Sequence, residues 1–298
     1  MKPIAVAALL LAAALASPRL SRGVSAAGPR PFTVDDEMRL RVIVDAALAP
    51  DGADVAYVVS TPSVEKNEHQ AALFLVSASG GEPRRLGATL RIFSRPVPRP
   101  QLRWTPDGSS ISLVAVAGER PQVFTVPREG GEPRPVTQAP EGVGLYEWGP
   151  HGDVAYTTLD PLPADEQRRR KDPSFVIRAD APDRPMRLVV QSRDGTRQTV
   201  SPPSHYVDAF SWSPDGREIA YAAAPRTGFT SPYAMRIFAV PPAGGAPRVV
   251  VDRPGMNVTP QYSPDGRWIA FVTTNGKSEI TAPRCRCSST CTASRTEA

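Results

Sequence analysis

The 298-residue chain contains very little cysteine, and none before residue 285. Its three cysteines, Cys285, Cys287 and Cys291, lie within the last fourteen residues, so disulfides cannot stabilise the body of the protein. A Cys-x-Cys-x-x-x-Cys cluster lacks the fourth ligand and the two-residue spacer that structural zinc sites usually have. We therefore expect no metal and no cofactor.

A serine-nucleophile motif is also missing. The sequence contains no Gly-x-Ser-x-Gly, the pattern that places a catalytic serine on a strained turn between a strand and a helix. The three histidines, His69, His151 and His205, follow no such turn, and we interpret them as turn or loop residues. The sequence therefore predicts no catalytic residue in this chain and leaves open whether the chain works as part of an enzyme.

No apolar run is long enough for a comfortable membrane span. The run at residues 4–16 falls short of the roughly 20 residues that a spanning helix needs. Because Lys2 precedes this run and small-x-small sites follow at residues 14–16 and 24–26, we predict a signal peptide over residues 1–26. The mature protein is then expected to be periplasmic or secreted, without membrane contact. An uncleaved N-terminal anchor is the alternative.

The charge of the chain is positive but dispersed. A net charge of +5 and a pI of about 9.3 accompany 41% apolar residues, a composition typical of a globular domain. The one dense basic run, Arg168 to Lys171, has no aromatic neighbours on which bases would stack, so we interpret it as a solvated loop. The sequence therefore indicates no nucleic acid partner.

What the chain does contain is a repeated proline turn. The prolines of its five Pro-x-Gly segments are Pro50, Pro106, Pro150, Pro214 and Pro264. They are spaced by 56, 44, 64 and 50 residues (106−50, 150−106, 214−150, 264−214), about the size of one propeller blade. An aromatic residue or leucine recurs two positions before each proline. Between proline and glycine lie the predicted structural turn residues Asp51, Asp107, His151, Asp215 and Asp265.

A second turn signal recurs between successive proline turns. Apolar runs at residues 73–76, 123–126, 188–190 and 237–240 lead into glycine turns that end at Gly81, Gly131, Gly195 and Gly245. A β-sandwich with fortuitous turns, the alternative, would not require both periods. We therefore predict an all-β fold, a β-propeller with about four blades and an incomplete fifth, over residues 31–277.

The repeat stops near residue 278. By analogy with the earlier repeats, a strand and a glycine hairpin should follow the fifth proline turn within about thirty residues. Residues 278–298 instead lack apolar alternation and hold every cysteine. We predict an aberrant or disordered tail there, produced by a shifted reading frame or a premature terminus. An unfinished blade exposes an apolar face, so we also expect poor solubility or partial folding.

Three parts of the sequence resemble a known family. They are the opening segment from Phe32 to Arg41, the turn motifs at Pro214 and Pro264, and the charged insertion at residues 161–185. Together they resemble the N-terminal β-propeller region of bacterial peptidases of the prolyl oligopeptidase family, especially the acylaminoacyl-peptidase and dipeptidyl-peptidase branches. The resemblance implies a propeller that caps an α/β-hydrolase catalytic domain and restricts access to short peptides. That domain is missing from this chain. Its expected partners are therefore the hydrolase domain and peptide substrates.

The resemblance also suggests a role for two carboxylates in the insertion. Asp165 and Glu166 compare with the acidic residues by which dipeptidyl-peptidase propellers hold the free amine of a substrate, since paired carboxylates attract an ammonium group. Solvated loop charge is the alternative for this pair. For the chain as a whole, the alternative function is a stand-alone TolB-like periplasmic propeller that binds a protein or ligand.

Overall fold

The computed structural model describes residues 30–92, 101–172, 184–226, 231–274 and 290–295. The predicted signal peptide at residues 1–26 lies outside the described residues and stays a prediction. Within those residues, no helix combines the length and the apolar character needed to cross a membrane.

The N-terminal segment up to Met38 forms a unit of its own with one short helix. Helix α1 (Val34–Glu37) begins after Thr33, whose hydroxyl accepts a hydrogen bond from the Asp36 backbone N–H at 3.3 Å. The Asp36 carboxylate in turn accepts one from the Thr33 N–H at 2.9 Å. This capping box pairs donors that a helix N-terminus otherwise leaves open. The opening segment that resembles the peptidase family therefore contains a capped helical turn.

Residues from Arg39 onward form five antiparallel sheets, which we number as blades 1 to 5. Blade 1 contains β1 (Val42–Leu48), β2 (Asp54–Ser63), β3 (Glu68–Ser77) and β4 (Arg84–Leu86). Blade 2 contains β5 (Arg103–Trp104), β6 (Ser110–Ala117), β7 (Arg120–Pro127) and β8 (Arg134–Pro135). Blade 3 contains β9 (Tyr146–Trp148), β10 (Val154–Leu159), β11 (Met186–Gln191) and β12 (Arg197–Thr199), with helix α2 (Ala164–Arg170) between β10 and β11.

Blade 4 contains β13 (Tyr206–Trp212), β14 (Ile219–Ala224), β15 (Arg236–Val240) and β16 (Arg248–Val251), with a 3-10 helix (Ser231–Ala234) before β15. Blade 5 contains β17 (Asn257–Tyr262), β18 (Trp268–Thr273) and β19 (Thr290–Arg295). Within each sheet, every strand pairs with the next along the chain, so each blade is a meander. The predicted all-β propeller is confirmed, and among the described residues it has four four-stranded blades and a three-stranded fifth.

The Pro-x-Gly segments form the turns between the first and second strands of the blades. Four aspartates accept a hydrogen bond from the backbone N–H two residues later, at 3.0 to 3.1 Å: Asp51, Asp107, Asp215 and Asp265. In blade 3, His151 takes this place, and its Nε2 lies 3.1 Å from the carbonyl oxygen of Asp215 in the next turn. The turn glycines have φ between 67° and 86°, a region that glycine adopts without strain.

The apolar core lies between the blades. Four clusters of buried side chains each combine residues from two neighbouring blades. In the first, Leu73 of blade 1 packs with Ile111 and Leu113 of blade 2. Strand β14 is buried at all six positions, which is typical of an inner strand with a blade on each side. Because burying a leucine or isoleucine side chain stabilises the fold by about 2 kcal/mol, packing between blades is the main source of stability.

The aromatic residue two positions before each proline joins its blade to the preceding one. The indole Nε1 atoms donate from Trp104 to Ala47 O at 3.1 Å, from Trp148 to Ser112 Oγ at 2.8 Å and from Trp212 to Glu147 O at 3.3 Å. In blade 5, the Tyr262 hydroxyl donates to a Glu218 carboxylate oxygen at 2.6 Å. The recurring aromatic therefore supplies an interblade hydrogen bond as well as apolar area.

The predicted aberrant or disordered tail contains a strand that the sequence pattern does not indicate. The backbone of Thr290–Arg295 pairs antiparallel with β18 along its whole length. Such pairing uses backbone N–H and C=O groups, so it does not need apolar alternation in the added strand. Among the described residues, blade 5 has three strands where each of the others has four.

Two predicted loop positions are wrong. Arg168, Arg169 and Arg170 lie in the last turn of α2, where the helix dipole favours cations. His69 lies in β3, paired with Pro62 of β2, because these two strands continue as one long hairpin of ten residues each. His205 lies in the connection between β12 and β13, as expected for a loop residue.

Candidate functional site

The three histidines occupy separate places in the structure. His69 Nδ1 lies 3.5 Å from Ser60 Oγ, beyond the roughly 2.6–3.2 Å of a nucleophile and its base. His151 is the turn residue described above. His205 Nδ1 lies 2.8 Å from the Tyr221 hydroxyl, and burial lowers the pKa of this imidazole, with a smaller contribution from Arg187. The prediction that this chain carries no catalytic residue stays a prediction.

The two carboxylates of the insertion lie on helix α2 in different environments. Glu166 is buried and forms ion pairs with Arg169 at 2.9 Å and Arg170 at 3.1 Å. Hydrogen bonds from Arg170 and Arg169 lower the pKa of its carboxyl group. Asp165 is exposed, and adjacent positions on a helix do not face the same side. An arriving ammonium group would therefore meet Asp165 first and would compete with two arginines for Glu166.

A cavity of about 220 Å³ opens where blade 2 meets blade 3, and we call it the interblade cavity. Its floor is one face of blade 3, formed by Tyr156 and Thr158 of β10, Arg187 and Val189 of β11, and Arg197 and Thr199 of β12. The alternate residues Leu188 and Val190 face the opposite way and pack against blade 4, as the twofold period of a strand requires. The walls come from Ala139 to Glu141, which connect the two blades, and from Asp160 and Pro161.

Arginines outnumber carboxylates around the interblade cavity. Arg187 pairs with Asp160 at 3.2 Å, and Glu141 pairs with Arg184 at 2.7 Å and with Arg120 at 3.5 Å. Arg197 donates to the carbonyl oxygen of Gln138 at 2.8 Å. Of these side chains, Arg187, Arg197, Glu141 and Asp160 line the cavity, so the lining has a formal charge of 0 (2−2). Both lining carboxylates are paired with arginines, which leaves the Arg197 guanidinium group to attract a small anion.

The first strands of blades 3 and 4 carry two carboxyl groups with raised pKa values. Burial raises the pKa of Glu147 to about 7, although Arg103 and the Trp212 backbone N–H oppose the shift. Burial also raises the pKa of Asp208, which lies at the β-bulge of β13. The raised pKa of Glu147 makes the stability of the propeller depend on pH near neutrality.

The part of the chain that the structure describes brings together no group of three His, Cys, Asp or Glu side chains suited to a metal ion. Cys285 and Cys287 lie outside the described residues, and Cys291 contributes its backbone to β19.

Among proteins of known sequence, this chain is similar to bacterial peptidases. It is 24% identical over 241 residues to the uncharacterized peptidase YuxL of Bacillus subtilis, covering 80% of this chain and 31% of the relative. It is 30% identical over 175 residues to dipeptidyl-peptidase 5 of Porphyromonas endodontalis, covering 56% of this chain and 24% of that protein. The chain thus spans about a quarter to a third of these relatives. No protein-family model matches it.

The resemblance to the propeller region of prolyl oligopeptidase family peptidases is confirmed. Among solved structures, the chain also resembles a TolB from Agrobacterium tumefaciens, with a TM-score of 0.54 and 17% identity over 80% of this chain and 72% of that one. At this level of identity the second likeness concerns the fold alone, and it agrees with the propeller described above.

The interblade cavity was missed by sequence reasoning, although one signal for it was present. Three of the four apolar runs before the glycine turns contain a phenylalanine, whereas the run in blade 3 has Val189 at the matching place. The meaning of that difference depends on strand register, which becomes visible only when the blades are paired.

Proposed function

We propose that this chain is the substrate-gating propeller of an exported serine peptidase and carries no catalytic residue of its own. The observation that supports this most is the combination of a propeller fold with peptidase relatives of which the chain spans 24% to 38%. In this proposal, the α/β-hydrolase domain lies in the remaining part of the full-length protein, and the propeller admits short peptides to it.

The test compares a full-length peptidase containing this propeller with a variant that lacks residues 31–277. We expect the full-length enzyme to cleave short peptides and to spare a folded or large protein substrate such as casein. The variant should cleave the large substrate at least as well as the short peptide. Equal selectivity in both proteins would contradict gating. Peptide hydrolysis by this chain alone would contradict the absence of catalytic residues.

Within this function we propose Asp165 as the group that meets a substrate amine, with Glu166 fixed by Arg169 and Arg170 as its support. Asp165→Asn should raise KM for peptides with a free N-terminus and leave KM for N-acetylated peptides unchanged. The matched control is Asp172→Asn, just beyond the same helix. A similar rise in KM for both substrate types would contradict amine recognition.

The second candidate function is a stand-alone binding propeller. The likeness to the TolB structure, which extends over 72% of that chain, favours it. A stand-alone propeller should unfold as a soluble monomer in one sharp cooperative transition, because its ring is closed. The gating proposal expects poor solubility or a broad transition for the isolated chain. Calorimetry at several protein concentrations distinguishes the two.

Export is proposed on the basis of residues 1–26. The complete chain should be found in the periplasm or medium with those residues removed, and a chain that starts at residue 27 should stay in the cytoplasm. Cell fractionation followed by N-terminal sequencing measures both, and an uncleaved, membrane-bound chain would contradict cleavage.

A further inference from the structure

One side-chain position distinguishes blade 3 from its neighbours. The recurring aromatic or leucine lies in the first strand of each four-stranded blade and pairs with a residue of the second strand. The residue two places further along the second strand is the position of interest, and it has its own partner in the third strand. The resulting pairs are Tyr57 with Phe74, Leu113 with Phe124, Tyr156 with Val189, and Tyr221 with Phe238. Blades 1, 2 and 4 therefore place a phenylalanine ring where blade 3 has the smaller Val189.

Blade 4 shows how the matching space is filled. The His205 ring packs against Phe238 at a tilt of 36° with ring centroids 4.1 Å apart, and its Nδ1 lies 2.8 Å from the Tyr221 hydroxyl. In blade 3, the connection from the preceding blade offers Ala139, Pro140 and Glu141, none of them aromatic. The interblade cavity therefore corresponds to the space that the rings of His205 and Phe238 occupy in blade 4.

The Tyr156 hydroxyl supplies a donor inside this cavity. Tyr156 is 2% exposed, and its hydroxyl lies beside the Arg197 guanidinium group, which opposes the rise in its pKa caused by burial. A guanidinium group only donates, so the hydroxyl proton remains for an acceptor in the cavity. In blade 4, the corresponding Tyr221 hydroxyl already has His205 as its partner.

The arginines of the cavity differ in how fully they are occupied. Arg187 donates through Nε and Nη2 to Ser201 and through Nη1 to Asp160, which holds it in place. Arg197 donates through one nitrogen to a backbone carbonyl and lies beside the Tyr156 hydroxyl. Glu141 is shared by two arginines and adds no free negative charge. The donors left over favour an oxyanion.

The rest of the lining consists of apolar residues and two threonines, Thr158 and Thr199. Val189, Leu159, Pro140 and Pro161 line the cavity beside the polar groups. A volume of about 220 Å³ is below the roughly 300–1,000 Å³ of sites for drug-sized ligands. We propose that the interblade cavity binds a small carboxylate with a short apolar tail, whose oxygens accept hydrogen bonds from Tyr156 and Arg197 and whose tail lies on Val189. This inference is independent of the peptidase proposal.

The test uses the full chain and two probes, 4-methylpentanoate and its uncharged analogue 4-methylpentanamide. Titration followed by NMR or calorimetry should give a Kd on the order of a millimolar for the carboxylate. Binding of the amide should be about tenfold weaker or absent, because it cannot accept charge-assisted hydrogen bonds. Equal binding of both probes, or no binding of the carboxylate at tenfold higher concentration, would overturn the proposal.

Two variants and one matched control locate the binding. Val189→Phe places in blade 3 the ring that three other blades accommodate, so it should fold and should weaken carboxylate binding at least tenfold. Tyr156→Phe removes one hydroxyl and should weaken binding about tenfold, whereas Tyr221→Phe makes the same change in blade 4 and should leave binding unchanged. Unchanged binding in Val189→Phe, or equal losses in the two tyrosine variants, would contradict the assignment.

Discussion

Blade 3 and blade 4 share a frame but differ in what fills it. Both have a tryptophan before the proline turn and a tyrosine two residues after that tryptophan's strand partner. Blade 4 completes this frame with the packed rings of His205 and Phe238, whereas blade 3 has Val189, two arginines and an open cavity. Repeated blades can therefore share one backbone while a single interface has hydrogen-bond donors in place of packed aromatic rings. Such a departure from the repeat is typical of functional sites.

The first strands of the two blades show a second difference. The residue before the tryptophan is Glu147 in blade 3 and Ser211 in blade 4. Glu147 is a largely buried carboxyl group with a raised pKa. Ser211 is also buried, and its hydroxyl makes no hydrogen bond within the described part of the chain. At the position before the tryptophan, blade 3 therefore carries a group whose titration affects stability, whereas blade 4 carries a serine that does not titrate.

The largest expected effect comes from emptying the filled site in blade 4. Phe238→Ala should lower the free energy of unfolding by about 3 kcal/mol, because it removes a packed ring and the support of His205. Val189→Ala, the truncation at the matching position beside the cavity, removes only two methyl groups and should cost about 1 kcal/mol. Urea denaturation measures both, and equal losses would mean that the two interfaces are packed alike.

The next effect concerns pH and Glu147. Its pKa is raised to about 7 in the folded protein from an ordinary value of 4.5, so the folded state binds the proton more tightly. The stabilisation is present below pH 4.5 and is lost as pH rises through about 7, with a total of about 2–3 kcal/mol.

Glu147→Gln should therefore flatten the fall in stability between pH 4.5 and 7. The variant is compared with the unmodified chain because folding raises the pKa of Asp208 and lowers that of His205, so both groups add their own pH dependence. Denaturation curves at several pH values provide the measurement. The same pH dependence in both proteins would contradict a protonated Glu147.

A smaller effect is expected when the cavity of blade 3 is filled. Val189→Phe should raise the free energy of unfolding by about 1 kcal/mol, because the added ring covers apolar surface without displacing a packed neighbour. Chemical denaturation of the ligand-free chain measures the gain. A loss of more than about 1 kcal/mol would indicate overpacking and would mean that the space is smaller than described.

The smallest effect belongs to Ser211. Because its buried hydroxyl makes no hydrogen bond in the described residues, Ser211→Ala should be neutral or stabilise the fold by up to about 1 kcal/mol. Ser112→Ala is the matched control, since the Ser112 hydroxyl accepts hydrogen bonds from both Tyr146 and Trp148. That variant should be destabilised by about 1–3 kcal/mol, and the reverse order would contradict the hydrogen-bond pattern.

The propeller was predictable because its signals are local. Proline fixes φ and glycine permits positive φ, so three or four residues determine each turn. The spacing of the turns then gives the number of blades. These features depend on near neighbours in the sequence.

The remaining features depend on contacts between distant residues. Strand β19 forms because the edge of β18 offers backbone groups, which no side-chain pattern records. The interblade cavity depends on Val189 lying across from Tyr156 and on the absence of a ring such as His205 from the preceding connection. The split between Asp165 and Glu166 depends on helix α2, which orients the two side chains differently. None of these follows from composition or turn spacing.

The most direct test of the gating function is to read the gene through codon 278 and well downstream, and to translate all three frames. The proposal predicts a frame that continues with a strand and a glycine hairpin and later contains Gly-x-Ser-x-Gly followed by an aspartate and a histidine. If no frame contains this order, the peptidase proposal is contradicted, and the stand-alone binding propeller becomes the better explanation.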